Sequence, residues 1–318
     1  MTGDGYVVGV DVGGTSIKCA LFTPSCRPLY EHRRPTPRGA DEAVAEVLDA
    51  VRLLTAEGER RYGTGPLAVG VAVLGLVDEA TGVAVRSAAT GWRDVPLAAL
   101  LRGVTPAPVA VGQDLRAGAL AEARLGAGRN LPGFLFAAIG TGVGGAVVLD
   151  GTPLTGSFGR AGEIGHLPAR GADGPCGCGG RGCVETVAAA RALSARYSAL
   201  TGRTTDAAHV AEAVRAGDPA ATGVWDTAVE ALASAFGTAA LLLDPAAVVI
   251  GGGVAAAGDL LLTPLRAALA RHVPFGPLPP LLPAELGDRA ALYGAALLAA
   301  EAHALTHPVP NSRSVQPC

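Results

Sequence analysis

Three of the six cysteines fall within eight residues, Cys176-Gly177-Cys178-Gly179-Gly180-Arg181-Gly182-Cys183, ten positions after His166. Three thiolates and one imidazole complete a tetrahedral zinc set, with no position left open for catalysis. The set reads as a clasp that shapes a loop, so the fold has to bring residues 166 and 183 to one point. A disulfide fits poorly. Cys176 and Cys178 are too close for a relaxed bridge, and one thiol would be left over. Glu163 and Glu185 flank the segment as candidate ligands for something polar.

The 318 residues suffice for one large or two ordinary domains. Almost half the chain is hydrophobic and only 4% is aromatic, so close packing has to come from small side chains. A net charge of −3 gives no footprint for nucleic acid or an anionic membrane. No apolar run reads as long enough to span a bilayer, and the N-terminus lacks the pattern of a signal peptide. Cys19, Cys26 and Cys318 are scattered, which fits a cytoplasmic protein with reduced thiols. Lys18 is the only lysine among the 25 basic residues. It reads either as a compact charge for phosphate or as a solvated strand residue.

Tyr6–Val10 reads as a buried strand, Asp11–Thr15 as a turn and Ser16–Phe22 as a second strand. The unit recurs as the strand Phe134–Ile139, the turn Gly140–Gly145 and the strand Ala146–Leu149, which suggests two halves of related architecture. A third glycine turn, Gly251–Gly253, follows the apolar run Ala246–Ile250. Helices are expected over Asp41–Glu57, with Val44, Val47, Leu48, Val51 and Leu54 on one face, over Asp114–Leu125 and over Asp288–Ala304. Gly217-Asp218-Pro219 ends one helix and starts another, which Asp244-Pro245 should stop. Strands alternating with helices give an α/β class. The expected division is an N-terminal α/β domain over 1–114, with a helix of about 288–305 packing back on it. A larger α/β domain over 115–305 would carry the cysteine loop, and 306–318 would be a disordered tail.

Asp11-x-Gly13-Gly14-Thr15 offers backbone amides for an anion, a hydroxyl at Thr15 and a carboxylate at Asp11 for hydrated magnesium. Gly140-Thr141-Gly142-x-Gly144-Gly145 is a second loop of the same kind, and with Gly252 and Gly253 three such turns could surround a nucleotide. A plain hairpin turn accounts for each of them taken singly.

Together with Glu163-Ile164-Gly165-His166 and the Cys176–Glu185 segment, these motifs resemble the ROK family in order and spacing, from about Val7 to Ala300. That family holds bacterial glucokinases, other hexose and amino-sugar kinases, and sugar-responsive repressors. The resemblance implies an actin-like, sugar-kinase (ribonuclease H-like) fold of two α/β domains with an interdomain cleft. It also implies magnesium-ATP as phosphoryl donor, structural zinc, and a homodimer or homotetramer. Asp11, Gly13, Gly14 and Thr15 then fall at the first phosphate motif, Gly140, Thr141, Gly142 and Gly144 at the second, and Gly252 and Gly253 beside the nucleoside; Lys18, near the first motif, is kept with them as a candidate cofactor contact. His166, Cys176, Cys178 and Cys183 match the zinc ligands. Glu163, His166 and Glu185 match sugar-hydroxyl contacts.

The family's catalytic aspartate follows an asparagine at a helix start. Here that text is Gln113-Asp114, so Asp114 takes the base position and Gln113 the sugar-contacting one; Asp114 also reads as a plain N-cap. Gln113, Ala89-Thr90 and Leu74 depart from the family pattern, all on the sugar side. The expected activity is phosphorylation of a primary hexose hydroxyl, with glucose as default. A rarer sugar, an amino sugar or a cyclitol is the alternative, as is a non-catalytic sugar sensor. The first motif begins at Asp11, which leaves no room for a repressor's DNA-binding segment ahead of it, and polyphosphate stays open as donor.

Overall fold

A computed structural model of the chain describes residues 5–307. The elements run β1 (Val7–Val12), β2 (Ser16–Phe22), β3 (Pro28–Pro35), α1 (Ala40–Tyr62), β4 (Ala68–Val73), β5 (Leu76–Asp78), β6 (Val83–Arg86), β7 (Arg93–Val95), α2 (Leu97–Arg102), β8 (Val109–Gln113) and α3 (Asp114–Leu125). They continue with β9 (Gly133–Ile139), β10 (Val143–Leu149), β11 (Thr152–Pro153), α4 (Glu185–Ala188), α5 (Ala190–Thr201), α6 (Ala207–Arg215), α7 (Pro219–Leu243), β12 (Val248–Gly251), α8 (Asp259–His272), β13 (Leu281–Pro283) and α9 (Ala290–Thr306). The chain forms two compact units. One holds the chain up to Ala117 and from Ala291 onward, and the other is Gly118–Ala290. The division falls inside α3. The expected tail lies outside the described residues from residue 308, as does Cys318.

The first unit is built on a sheet of order β3-β2-β1-β4-β8. β1, β2 and β3 are antiparallel, while β1, β4 and β8 are parallel. Every residue of β1 and β4 is buried, the continuous apolar pattern of strands covered on both faces. α1 packs Val47, Ala50, Val51 and Leu54 against Val8, Val10, Val69 and Val71. Val44 and Leu48, expected on that face, are only half-buried and line a surface groove with Leu100. The alternate residues of β1 and β4 point to the other face, against α9. A Cβ at Gly70 would lie 1.9 Å from the Ala295 carbonyl oxygen, so a side chain there would force the helix off the sheet. β5, β6 and β7 form a small antiparallel sheet that the sequence pattern did not suggest.

The second unit repeats the topology, with order β11-β10-β9-β12-β13, β9–β11 antiparallel and β9, β12 and β13 parallel. Its core gathers around α7, which buries Trp225, Leu232 and Phe236. α7 runs over the span marked out by its two signals. Asp218 accepts the N–H groups of Ala220 and Ala221, and Asp244 ends the helix at φ 44°. α7 is also long and apolar enough to cross a membrane by length and composition, contrary to the expectation that no such run exists. More than half of its apolar window is buried inside the protein, the pattern of a core helix.

The glycine turns are tighter than the sequence suggested. Asp11 and Val12 stay in β1, paired with Lys18 and Ile17, and Gly144 and Gly145 belong to β10. Ladder pairing continues wherever a partner strand lies opposite, so only Gly13–Thr15 and Gly140–Gly142 actually turn.

Candidate functional site

Asp114 is the first residue of α3, at the end of the parallel strand β8. It is not the side chain that caps the helix. The Gln113 Oε1 accepts the Arg116 N–H at 2.8 Å, the bond an N-cap makes to its third helical residue. Gln113 is buried, and with its oxygen spent on a backbone donor its NH2 is the end that can meet a ligand. The Asp114 Oδ1 accepts the Leu115 N–H at 2.9 Å. Glu79, in the turn after β5, reaches the same junction. Its Oε1 accepts the Gln113 N–H and the Arg116 Nε–H, both at 2.9 Å. Neither Glu79 nor Arg116 stood out in the sequence, because 34 residues separate Glu79 from Gln113 and no motif joins them.

Gly14 and Thr15 are exposed at the first turn. The Gly13 N–H donates to the Ser16 carbonyl at 3.1 Å, and the Thr36 hydroxyl donates to the Gly13 carbonyl at 2.7 Å. Asp11 is buried beside it. Lys18, cross-strand from Asp11, places its Nζ 3.6 Å from the Asp11 Oδ2. The Lys18 ammonium thus neighbours the carboxylate expected to serve magnesium. Leu74 and Ala89, two of the departures, are the side chains nearest a Cβ built on Gly14. Thr90, the other residue of the Ala89-Thr90 departure, is fully buried, and its hydroxyl has no hydrogen-bond partner among the described residues.

The second turn is held by different chemistry. The Val143 N–H donates to the Glu185 Oε2 at 3.0 Å, and the Ala190 N–H donates to the Gly140 carbonyl at 2.8 Å. The other Glu185 oxygen accepts from Arg191. A Cβ on Gly142 would sit 2.4 Å from the Glu185 Oε2, so this glycine makes room for the carboxylate. Glu185, expected to touch sugar, therefore also braces the turn. Gly252, with φ 88°, and the exposed Gly253 follow β12.

The four expected ligands converge. Ligand atoms of His166, Cys176, Cys178 and Cys183 all lie within 4.8 Å of one another, a ready metal site. The His166 Nδ1 is 3.7 Å from the Cys176 Sγ, and the Cys178 and Cys183 sulfurs are 3.8 Å apart. Backbone bridges tie the loop together through Pro168–Cys183 and Pro175–Arg181. The Gly180 N–H donates to the Cys178 sulfur and holds that thiol below its usual pKa, whereas burial pushes Cys183 up to about 12. The His166 Nε2 lies 3.9 Å from the Glu163 Oε2, so the ring turns one nitrogen to the cysteines and the other to the glutamate.

Two sheets of one strand topology, two glycine turns and a three-cysteine, one-histidine cluster thus occur together in this chain. The ROK family model matches residues 7–302. The chain is 31% identical to a glucokinase of Streptomyces coelicolor over 318 residues, covering 93% of this chain and 98% of that protein. It is 35% identical to a kanosamine kinase of Amycolatopsis mediterranei over 300 residues, covering 93% and 97%. A ROK family glucokinase from Streptomyces griseus, solved with glucose and AMPPNP, superposes with a TM-score of 0.81 at 31% identity, covering 93% of this chain and all of that one. The chain belongs to the ROK family and has the two-domain, actin-like sugar-kinase fold.

Proposed function

We propose that the protein transfers the γ-phosphoryl group of magnesium-ATP to the primary hydroxyl of a hexose, with glucose as the leading substrate. The observation that carries this reading is its whole-chain likeness to a glucokinase that holds glucose and AMPPNP. In the reaction the hydroxyl oxygen bonds to the γ-phosphorus, the bond from phosphorus to the ADP oxygen breaks, and Asp114 takes the hydroxyl proton. A sugar hydroxyl is a weak acid, so the proton leaves late, as the new bond develops. The amides of Gly14, Thr15, Thr141 and Gly142 would spread the charge of the transferring group, those of Gly13 and Gly140 being used inside the turns. Magnesium, when bound, neutralises phosphate charge, and the Asp11 carboxylate is suited to hold it through water.

The donor set fits zinc. A tetrahedron with zinc–sulfur bonds of about 2.3 Å has sulfur–sulfur edges of about 3.8 Å, the separation of the Cys178 and Cys183 sulfurs. Cys176, Cys178, Cys183 and the His166 Nδ1 would hold the ion. Bound there, zinc would fix the imidazole so that its Nε2, with Glu163, presents polar atoms to sugar hydroxyls. Glu185 would add a third contact while keeping the second turn in place. We assign the protein to the cytoplasm as a homodimer or homotetramer, which light scattering after size-exclusion chromatography would test.

The likeness to kanosamine kinase supports a second reading, an amino-sugar kinase. Coupled ADP release with magnesium-ATP against glucose, mannose, glucosamine, kanosamine, N-acetylglucosamine, N-acetylmannosamine and cyclitols separates the two. Turnover of glucose above the others supports the leading reading. Turnover of an amino sugar alone replaces it with the second, and sugar binding without turnover would overturn both in favour of a sensor.

A further inference from the structure

We propose that Glu79 is the positioning residue of the base, acting on Asp114 through the backbone it holds; the inference rests on the reading of Asp114 given above. One oxygen of its carboxylate receives both the Gln113 N–H and the Arg116 Nε–H at 2.9 Å. Those donors flank Asp114 on either side in the chain. The Gln113 side chain closes the ring by accepting the Arg116 N–H at 2.8 Å. The strand-to-helix junction is thus fixed at three points, all converging on the two residues around the base. Arg116 is 5% exposed in its side chain and Glu79 29%, so the pair sits where water competes weakly and charge-assisted bonds hold firmly.

Phosphoryl transfer depends on the attacking oxygen, the base and the phosphorus being in line, and an error of about 1 Å can cost about 10²-fold in rate. The turn that carries Glu79 is far from Asp114 in sequence, yet it supplies an acceptor for the Gln113 N–H. The ring also fixes which way the Gln113 amide faces. Its oxygen is committed inward, so it presents a donor, and the substrate position opposite must be a hydrogen-bond acceptor.

The test is steady-state kinetics on E79A, E79Q, D114N and E79A/D114N, with thermal denaturation of each. Asp114→Asn should lower kcat by about 10²–10⁴. E79A should lower kcat at least about tenfold with KM for ATP nearly unchanged. E79Q keeps a carbonyl oxygen for both donors and should recover most of that loss. In the D114N background, E79A should add nothing. Wild-type kcat in E79A, or an undiminished further loss in E79A/D114N, would overturn the positioning role. D114N at the wild-type rate would overturn the base assignment itself; if E79A is still slow beside it, Glu79 acts on something other than Asp114. Should E79A fail to fold because the buried Arg116 loses the Glu79 carboxylate, E79A/R116M removes that charge and carries the same readout.

Discussion

The two glycine turns occupy equivalent places in sheets of the same topology, yet they are braced by different chemistry. The first, between β1 and β2, is held by its own Gly13–Ser16 backbone bond and by the Thr36 hydroxyl and N–H at the end of β3, all neutral groups. The second, between β9 and β10, is held by a carboxylate that follows directly on the cysteine loop, and that carboxylate is itself held by Arg191. A repeated scaffold sets where the turns lie, whereas the segments inserted afterwards decide what each turn senses. The first is tied only to its own sheet. The second is tied to Glu185, two residues beyond Cys183, so it should respond to whatever fills the metal site.

The largest effect expected from that asymmetry is at the metal. Replacing Cys178 by Ser should release the ion and lower kcat/KM for sugar by at least the roughly 10–100-fold that loss of an outer partner costs. Hydrogen exchange should rise at Gly140–Val143 and stay unchanged at Gly13–Ser16. Equal protection of both turns in metal-free protein would break the comparison.

The glycines themselves sharpen it. Gly142→Ala drives a methyl to 2.4 Å from the Glu185 carboxylate, while the same change at Gly14 meets the Ala89 and Leu74 side chains at 3.4 and 3.9 Å. G142A should therefore displace Glu185 and lower kcat/KM by up to about 10²-fold, with a reduced Tm. G14A should keep its Tm and raise KM for ATP, because the turn is exposed and the proposed nucleotide would pack on it. A G142A protein as stable and active as wild type would mean the carboxylate is no brace.

Much of this was legible in the sequence, for physical reasons that can be named. β2, α3 and α7 have the bounds read for them, because each is marked by local chemistry: a glycine turn, a polar helix start, an Asp-Pro pair on either side of an apolar run. The cluster of His166 with three cysteines could be read because thiols spaced so compactly suit a soft metal ion far better than a disulfide. The bracing was not legible. Glu79 meets Gln113, and Thr36 meets Gly13, across separations that no period or motif encodes. The cap at α3 was misplaced by one residue, since glutamine is an uncommon cap and aspartate a favoured one. The small sheet β5–β7 escaped notice because its strands are three or four residues long, too short for alternation to register.

A weaker effect is expected at the neutral brace. Thr36→Ala removes one hydrogen bond of 2.7 Å to the Gly13 carbonyl, about 0.5–1.5 kcal/mol of stability. The Thr36 N–H still donates to the Thr15 carbonyl at 3.0 Å, so the turn should keep its form. KM for ATP should rise no more than a few-fold, and KM for sugar should not move. A change in sugar KM would mean that the first turn, too, reports on the sugar.

The smallest effect on activity, and the only gain in stability, is expected at Thr90. The hydroxyls of Ser87 and Thr90 are buried in the first unit without a hydrogen-bond partner among the described residues, and no described residue of the second unit is in that position. Leaving such a group unpaired costs about 1–3 kcal/mol. Valine has nearly the same shape as threonine without the hydroxyl, so Thr90→Val should raise stability by about 1 kcal/mol, read as a shift of the urea midpoint at constant slope. Kinetics should be unchanged if the hydroxyl simply faces the core. Thr90 stands next to the exposed Ala89, beside the first turn, at one of the three departures from the family pattern. A T90V protein that is more stable but has a higher KM for sugar would show that the hydroxyl is held unpaired for the substrate, and would add in the first unit a specificity contact to those proposed at Glu163, His166 and Glu185 in the second.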